Sequence, residues 1–348
     1  MGLYRALGRP LFFAVPPEVA HRAAIALLGL PLPWERIGGA VDLPRMPVRL
    51  AGIDLANPVG LAAGFDKGCE RLATLGRLGF GYVVGGTITR APRAGNPRPR
   101  VVRLPSGSMV NAMGLPNPGA EVAAARLAAT PRAAPRFASI ADEARDDVVA
   151  TFRFLAPHVD AVELNASCPN VSWGRDRDNE AHLRDLLGAL RERAVPLLVK
   201  LPPFRSDVER EVVLALARIA QEGGADGLTC SNTAPTEAPR LSVGRGGLSG
   251  AALAAHTPGI VAAVREATGG ALPINACGGI ASVATARACL EAGATTVQVY
   301  TGLLHEGPRL ASSLVRGLAP VGARGGLPVP GGPGDDAPAA GPPSAEGS

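Results

Sequence analysis

A chain of 348 residues, 47% of them apolar, can bury a large core, and its length fits one barrel-sized domain with appendages. This composition excludes an intrinsically disordered protein. The 35 Lys and Arg residues against 30 Asp and Glu give a formal charge of +5, but they are dispersed without interleaved aromatic residues, which argues against nucleic-acid binding.

The N-terminal residues 1–45 have helical periodicity, and their arginines outnumber their acidic residues. One face of a helix predicted from Glu18 to Leu30 can collect the apolar residues Val19, Ala23, Ala26, Leu27 and Leu30. The pattern predicts an amphipathic helical extension on an anionic membrane surface; alternatively, these helices only pack on the barrel or on a partner chain. No run reaches the roughly 20 apolar residues that a spanning helix needs.

Residues 46–320 alternate short apolar runs with longer segments of helical periodicity. The predicted strands are Val59–Ala63, Gly81–Gly85, Arg136–Ile140, Asp160–Leu164, Pro196–Leu201, Ala225–Cys230, Leu272–Cys277 and Thr295–Tyr300. The predicted helices include Cys69–Leu78, Glu180–Arg193, Asp207–Glu222, Ala251–Ala267 and Ser282–Ala292. Eight repeated strand–helix units predict an α/β protein with a (β/α)8 barrel, the TIM barrel fold.

Polar residues and glycines stand at the C-terminal end of each predicted strand, the face that carries the active site in such barrels. The segments 87–116, 166–178 and 231–249 follow the second, fourth and sixth strands and are predicted as long lid or binding loops. Gly278-Gly279 and Thr301-Gly302 follow the last two strands, where barrels bind phosphate. A phosphorylated cofactor is therefore expected.

The hexapeptide NASCPN, residues 165–170, follows the fourth predicted strand and places Cys168 at the active face. A thiol between two carboxamides that can hydrogen-bond a planar polar ligand is a candidate acid/base. The alternative is a buried, inert cysteine, which is the commoner fate of a free thiol.

The five cysteines and five histidines show no metal or disulfide pattern. Cysteines at 69, 168, 230, 277 and 289 contain no CxxC pair, and histidines at 21, 158, 182, 256 and 305 lack ligand spacing. No metal and no disulfide is expected, and a reducing cytoplasm is the simpler assumption. Residues 321–348 are rich in Gly, Pro, Ala and Ser and are predicted to be a disordered tail.

Several motifs together resemble the dihydroorotate dehydrogenases, flavin enzymes of pyrimidine biosynthesis, from about residue 3 to residue 318. They are NPVGLAAGFDK (57–67), GTIT (86–89), GNPRPR (95–100), NAMGL (111–115), NASCPN (165–170), SNT (231–233), GGLSG (246–250), GGI (278–280) and YTG (300–302). The resemblance implies an FMN-binding (β/α)8 barrel, in agreement with the strand count.

By matching position, the resemblance implies two sets of binding residues. Those expected to hold FMN are Ala63, Gly64, Thr87, Ser139, Asn165, Lys200, Ser231, Gly250, Gly279, Tyr300 and Thr301. Those expected around the pyrimidine ring and carboxylate of dihydroorotate or orotate are Lys67, Asn111, Asn165, Asn170, Asn232 and Thr233. Cys168 would take the proton from C5 while the flavin N5 accepts the hydride from C6.

Lys200 and Ser139 stand in unusual sequence surroundings. Lys200 is the sole charge in an apolar strand and would be costly to bury unpaired, so contact with the flavin explains it better than packing does. Ser139-Ile-Ala-Asp-Glu143 stands where the family usually has Asn-Ile-Gly-Lys-Asn, which weakens a flavin contact at Ser139.

The chain mixes marks of two branches of this family. The cysteine base is typical of the soluble branch, which uses fumarate or NAD, whereas the N-terminal extension with PEVAH (17–21) is typical of the membrane-associated branch, which uses a quinone. A quinone acceptor is favoured because an amphipathic extension can serve as a membrane dock and quinone entrance. The expected location is then the cytoplasmic face of the cell membrane, as a peripheral protein.

Other functions stay open at this point. The chain could be a soluble-type dihydroorotate dehydrogenase or a related flavoenzyme that oxidises another dihydropyrimidine, although Lys67 and Asn111 suit a substrate with a carboxylate. It could also be a flavin-binding protein without catalytic activity.

Overall fold

The computed structural model describes residues 4–105, 107–166 and 179–320. Its strands are β1 Val48–Leu50, β2 Ile53–Leu55, β3 Val59–Asp66, β4 Tyr82–Ile88, β5 Val101–Leu104, β6 Ser108–Asn111, β7 Arg136–Ile140, β8 Ala161–Asn165, β9 Leu197–Leu201, β10 Gly227–Cys230, β11 Ala234–Glu237, β12 Arg245–Gly250, β13 Ile274–Cys277 and β14 Thr296–Val299.

The α-helices are α1 Arg9–Ala14, α2 Pro17–Leu27, α3 Trp34–Gly38, α4 Leu72–Gly76, α5 Ala120–Ala129, α6 Arg145–Leu155, α7 Asn179–Ala189, α8 Asp207–Glu222, α9 Thr257–Ala267, α10 Val283–Glu291, α11 Thr301–Glu306 and α12 Leu310–Leu318. A π-helical turn, Tyr4–Gly8, precedes α1, and short 3₁₀ helices span Ala156–His158 and Ala251–Leu253.

Eight parallel strands close into a barrel in the order β10-β13-β14-β3-β4-β7-β8-β9. The predicted (β/α)8 barrel is therefore confirmed, and each predicted strand overlaps one barrel strand. These strands are rich in Val, Leu, Ile and Ala because a parallel barrel strand is covered on both faces, by the barrel interior and by the outer helices.

The helix predictions differ from the structure mainly at their ends. Asp207–Glu222 is matched in full, and Ser206 caps it by accepting a hydrogen bond from the N–H of Glu209. The helix predicted over Ala251–Ala267 is interrupted, because α9 begins only at Thr257, with Pro258 in its first turn. Proline is suited to that position because the first-turn N–H has no partner within the helix.

Two of the segments predicted as loops contain strands. Residues 87–116 include the hairpin of β5 and β6, and residues 231–249 include most of the hairpin of β11 and β12; the four strands form one antiparallel sheet in the order β11-β12-β6-β5. These strands have only four to six residues and little apolar alternation, so periodicity did not reveal them. In the third segment, all but Ala166 lies outside the described residues.

The N-terminal end of the barrel is closed by the hairpin of β1 and β2. Leu50 and Leu55 are buried in one apolar cluster with Tyr82 and Phe137, whose rings stack at 5.0 Å between centroids. This end is therefore filled by side chains. The open end is the one formed by the carboxyl ends of the strands.

The N-terminal helices are fastened to the region around β5. The Glu18 carboxylate on α2 pairs with Arg98 and Arg100, at 3.0 and 2.8 Å. Arg103 on β5 donates to the backbone oxygens of Phe12, Phe13 and Val15 at the C-terminal end of α1, a position where a cation is favourable. These contacts hold α1 and α2 at the rim of the barrel mouth.

The apolar helix face predicted from the sequence is exposed, and two of its residues, Ala26 and Leu27, also line the cavity between the helices and the barrel. All five of its residues are exposed, whereas Ala20 and Leu28 are buried. The helices thus pack on the barrel through other residues and still present apolar side chains to the outside. The tail predicted to be disordered, 321–348, lies outside the described residues.

Candidate active site

One large cavity, about 2430 Å³, occupies the open end of the barrel and continues between the four-stranded sheet and the N-terminal helices. Its lining includes most of the residues expected from the sequence: Ala63, Gly64, Lys67, Thr87, Asn111, Asn165, Lys200, Ser231, Asn232, Thr233, Gly250, Gly279, Tyr300 and Thr301. The fold therefore gathers side chains that lie up to 238 residues apart. Cys168 and Asn170 lie outside the described residues.

Carboxamides and hydroxyls at the ends of β4, β8 and β10 form one hydrogen-bonded row. Asn232 Nδ2 donates to Asn165 Oδ1 at 3.1 Å, and Asn165 Nδ2 donates to Thr87 Oγ1 at 3.3 Å. Thr87 Oγ1 lies 3.0 Å from the hydroxyl of Ser139. These bonds orient the two carboxamides beside the cavity, and Ser139 is a fully buried support behind Thr87 that does not line the cavity.

The loop after β3 holds a lysine beside the mouth. Lys67 Nζ donates to the carbonyl oxygen of Gly64 at 2.5 Å, and the Tyr300 hydroxyl donates to the same oxygen at 3.1 Å. Asp66, which is buried, accepts the backbone N–H groups of Glu70 and Arg71 and so fixes the turn that follows. The ammonium of Lys67 is thereby positioned toward the same space as the carboxamides.

Lys200 has a buried counter-charge within the protein, which the sequence prediction of a flavin contact did not include. Its Nζ lies 3.4 Å from Oε1 of Glu163, and both side chains are buried. The partner was missed because Glu163 lies in the neighbouring strand β8, and only the barrel register brings the two strands together. Lys200 lines the cavity, whereas Glu163 does not line it and lies behind Lys200.

Three glycine-containing junctions form the side of the cavity between β12, β13 and β14. Gly250 and Gly279 have φ values of +85° and +69°, in the left-handed region that favours glycine. A Cβ on Gly279 would stand 2.2 Å from the backbone nitrogen of Ala254, so no larger residue fits there. The hydroxyls of Thr301 and Ser249 lie 3.1 Å apart on the same side. Backbone and hydroxyl groups here can approach an anionic ligand closely.

Gln298 is a polar residue of this site that the sequence reasoning missed. It lines the cavity and is only 1% exposed; the Tyr82 hydroxyl lies near its amide, but neither its amide oxygen nor its amide nitrogen makes a hydrogen bond of normal geometry to the described residues. A buried amide without partners costs free energy unless a ligand or water satisfies it. A long polar side chain in the apolar strand β14 was the available signal.

His21 on α2 lines the part of the cavity between the helices and the barrel. Its ring packs edge-on against Phe65, 5.4 Å between centroids. Burial and, to a smaller extent, the nearby Lys67 ammonium lower the pKa of His21 from 6.5 to about 3, while the Glu18 carboxylate opposes the shift. The imidazole is therefore neutral at physiological pH.

This pKa predicts a pH dependence of stability. Between about pH 3 and 6.5 the unfolded chain binds a proton at His21 that the folded chain excludes, so stability falls as pH falls through that range and is insensitive to it above. Since one pKa unit is worth about 1.4 kcal/mol, acidification from pH 7 to pH 5 is expected to cost about 2 kcal/mol at this residue.

Urea unfolding at pH 7 and pH 5 measures this cost. His21→Gln should lose about 2 kcal/mol less than the wild type on acidification. The matched control, His256→Gln, replaces an exposed histidine and should follow the wild type. Equal losses in the wild type and in His21→Gln would contradict the prediction.

Within residues 4–105, 107–166 and 179–320, no group of three or more His, Cys, Asp or Glu side chains is arranged to hold a metal ion. In the same ranges, no helix has the length and apolarity required to cross a membrane.

Comparison with known proteins gives one consistent family. The dihydroorotate dehydrogenase family model matches residues 45–321. The dihydroorotate dehydrogenase (quinone) of Erythrobacter litoralis is 40% identical over 89% of this chain and 93% of its own length. The enzyme of the same name from Verminephrobacter eiseniae is 35% identical over 92% of this chain and 96% of its own.

Solved structures agree with the sequence comparison. The ligand-free DHODH of Eimeria tenella superposes with a TM-score of 0.76 and 31% identity, covering 87% of this chain and 94% of that one. The same enzyme in complex with ferulenol gives a TM-score of 0.74 and 28% identity over 87% and 90%. The barrel, the cavity at its mouth and a match over most of the sequence establish that this chain belongs to the dihydroorotate dehydrogenase family, whose members are flavin-dependent.

Proposed function

We propose that this protein oxidises dihydroorotate to orotate in pyrimidine biosynthesis, with FMN as cofactor and a quinone as electron acceptor. The observation that carries the proposal is the shape of the cavity: one space joins a cluster of carboxamides and a lysine at the barrel mouth to the N-terminal helices. A substrate site and an acceptor entrance can therefore share one cofactor.

The described residues suit FMN. Gln298 offers an unsatisfied donor and acceptor inside the barrel, and Lys200 offers a buried cation. At the side of the cavity, the Gly279 junction and the hydroxyl of Thr301 would hold the phosphate. When bound, FMN supplies a hydride acceptor. The remaining FMN contacts would come from the other cavity residues that match the family, which are Ala63, Gly64, Thr87, Asn165, Ser231, Gly250 and Tyr300.

The residues proposed to bind substrate match the chemistry of dihydroorotate. The molecule presents two carbonyls, two N–H groups and a carboxylate, and carboxamides provide donors and acceptors for all of them in a small space. Asn111, Asn165, Asn232 and Thr233 would surround the ring, and the ammonium of Lys67 would pair with the carboxylate. Asn170 would join them by sequence match.

Proton removal is assigned to Cys168. Oxidation of dihydroorotate breaks two C–H bonds, and the proton at C5 needs a base on the protein. Cys168 follows β8, whose last residue, Asn165, is placed at the cavity by its bonds to Thr87 and Asn232. The thiolate would take the proton and later release it to solvent.

The N-terminal helices support a quinone as acceptor. The cavity wall between α1, α2 and β5 includes the apolar side chains of Phe12, Phe13 and Ile25 beside His21 and Arg103, with the Arg103 guanidinium 4.5 Å from the centre of the Phe13 ring. An apolar passage with a few polar groups suits a quinone better than it suits fumarate or NAD, which carry several charges. The relatives bear the quinone name. A peripheral position on the cytoplasmic face of the membrane is part of the proposal.

Anaerobic spectroscopy tests the proposed function. The purified protein should contain FMN, and dihydroorotate should bleach its absorbance; a ubiquinone or menaquinone analogue should then restore the absorbance faster than fumarate or NAD. Protein that binds no flavin, or whose flavin bleaches with dihydrouracil but not dihydroorotate, would refute the substrate and cofactor. Faster reoxidation by fumarate or NAD would refute the quinone.

A further inference from the structure

Glu163 is a buried carboxylate on the axis side of β8, directly behind the cavity. Its side chain is 1% exposed and does not line the cavity. Its two oxygens have separate partners: Oε1 lies 3.4 Å from Lys200 Nζ, and Oε2 accepts a hydrogen bond of 2.9 Å from the hydroxyl of Thr229. The carboxylate is therefore held between the cavity lysine and the barrel interior.

A row of hydrogen bonds fixes this carboxylate from below. Asn275 Nδ2 donates to Thr229 Oγ1 at 3.3 Å, and the Tyr82 hydroxyl donates to Asn275 Oδ1 at 2.7 Å. The row runs from Lys200 down to the tyrosine in the apolar cluster that closes the barrel. Because each group is buried and bonded, the position of the Glu163 charge is set by the rigid barrel.

A buried ion pair of this kind is weak support for stability. Taking two charges out of water costs several kcal/mol, and apolar replacements of similar volume are often neutral or stabilising. The two members differ in position: Lys200 lines the cavity, whereas Glu163 lies behind Lys200 as its counter-charge. The arrangement therefore bears on the electrostatics of the bound ligand, where a low dielectric strengthens each charge.

We propose that Glu163 is a positioning residue that anchors the Lys200 ammonium at the cavity floor and partly neutralises it, and thereby lowers the reduction potential of the bound flavin. The inference rests on the proposed function, because it requires a flavin next to Lys200. Reduction adds negative charge to the flavin. A lysine alone favours the reduced form, and the carboxylate behind it opposes this and assists electron release to the acceptor.

Glu163→Gln tests the role with a side chain of the same shape. The flavin midpoint potential, measured by titration against a reference dye, should become more positive. Two rate constants should also change, the one for flavin reduction by dihydroorotate and the one for reoxidation by a quinone analogue. Their ratio, reduction over reoxidation, should rise on the order of tenfold. Removing a unit charge several ångströms away, at an effective dielectric constant of about 20, is worth at least that factor. Glu163→Asp keeps the charge and should restore most of the wild-type potential.

An unchanged or more negative potential in Glu163→Gln with full flavin content would overturn the inference. Glu163→Gln could fail to fold, because it removes the counter-charge of Lys200. In that case Lys200→Gln is compared with the double variant Lys200→Gln/Glu163→Gln. The flavin potential must then be more positive in the double variant than in Lys200→Gln. Failure of the proposed function is distinguishable, because it would appear in the wild type as absent flavin or absent bleaching.

Discussion

Cys168→Ala is expected to slow dihydroorotate oxidation by about 10²- to 10⁴-fold, the usual contribution of a general base. Alanine cannot accept the C5 proton, whereas the groups assigned to FMN are unchanged, so flavin content should stay at the wild-type level. Stopped-flow measurement of flavin bleaching isolates this step from reoxidation. Bleaching at the wild-type rate in Cys168→Ala would remove Cys168 from the role.

Serine and a second cysteine sharpen the test. Cys168→Ser should retain weak activity with a more alkaline pH profile, because a hydroxyl loses its proton far less readily than a thiol of ordinary pKa near 8.5. Cys277 is the matched control, since it also lines the cavity. Burial raises the pKa of Cys277, with Lys200 opposing the rise and the Glu163 carboxylate adding to it, so the thiol keeps its proton and is not available to accept another. Cys277→Ala should bleach at close to the wild-type rate.

The barrel was accessible from sequence because its physical signal is local. A strand covered on both faces must be apolar throughout, as in Leu197–Leu201, and a helix that packs on one side must repeat its apolar residues, as in Asp207–Glu222. The four-stranded sheet gave no such signal. Its strands, such as Arg245–Gly250, are short and glycine-rich and are paired by contacts between distant segments.

The residues of the site also divide into those with a local sequence signal and those without one. Residues such as Lys67 and Asn232 stand at strand ends and within motifs, so position and residue type together pointed to them. Glu163 and Gln298 lie inside strands, where a polar residue can face either the barrel interior or the outer helices. Only the closed barrel shows that Glu163 meets Lys200 and that Gln298 turns toward the cavity. The sequence therefore could not predict which strand residues pair with each other or face the cavity.

Replacing Leu7 and Leu11 together by lysine is expected to release the protein from lipid vesicles, if the exposed apolar side of the N-terminal helices docks on a membrane as proposed. Leu7 and Leu11 are 63% and 71% exposed, one helical turn apart, and neither lines the cavity. Burying one leucine is worth about 1.5–3 kcal/mol, so losing both should weaken vesicle binding by roughly 100-fold or more. Cosedimentation with zwitterionic vesicles measures the change, because the added lysines have no electrostatic attraction to an uncharged surface.

Activity with two acceptors separates docking from catalysis. The Leu7→Lys/Leu11→Lys variant should keep its rate with a water-soluble quinone analogue, because the cavity is untouched, and lose most of its rate with a long-chain quinone embedded in vesicles. Val208→Lys is the matched control: Val208 is 78% exposed on α8, outside the N-terminal helices, and its replacement should leave both rates and vesicle binding at wild-type levels. Vesicle binding that survives the double substitution would place the membrane contact elsewhere on the protein or exclude it.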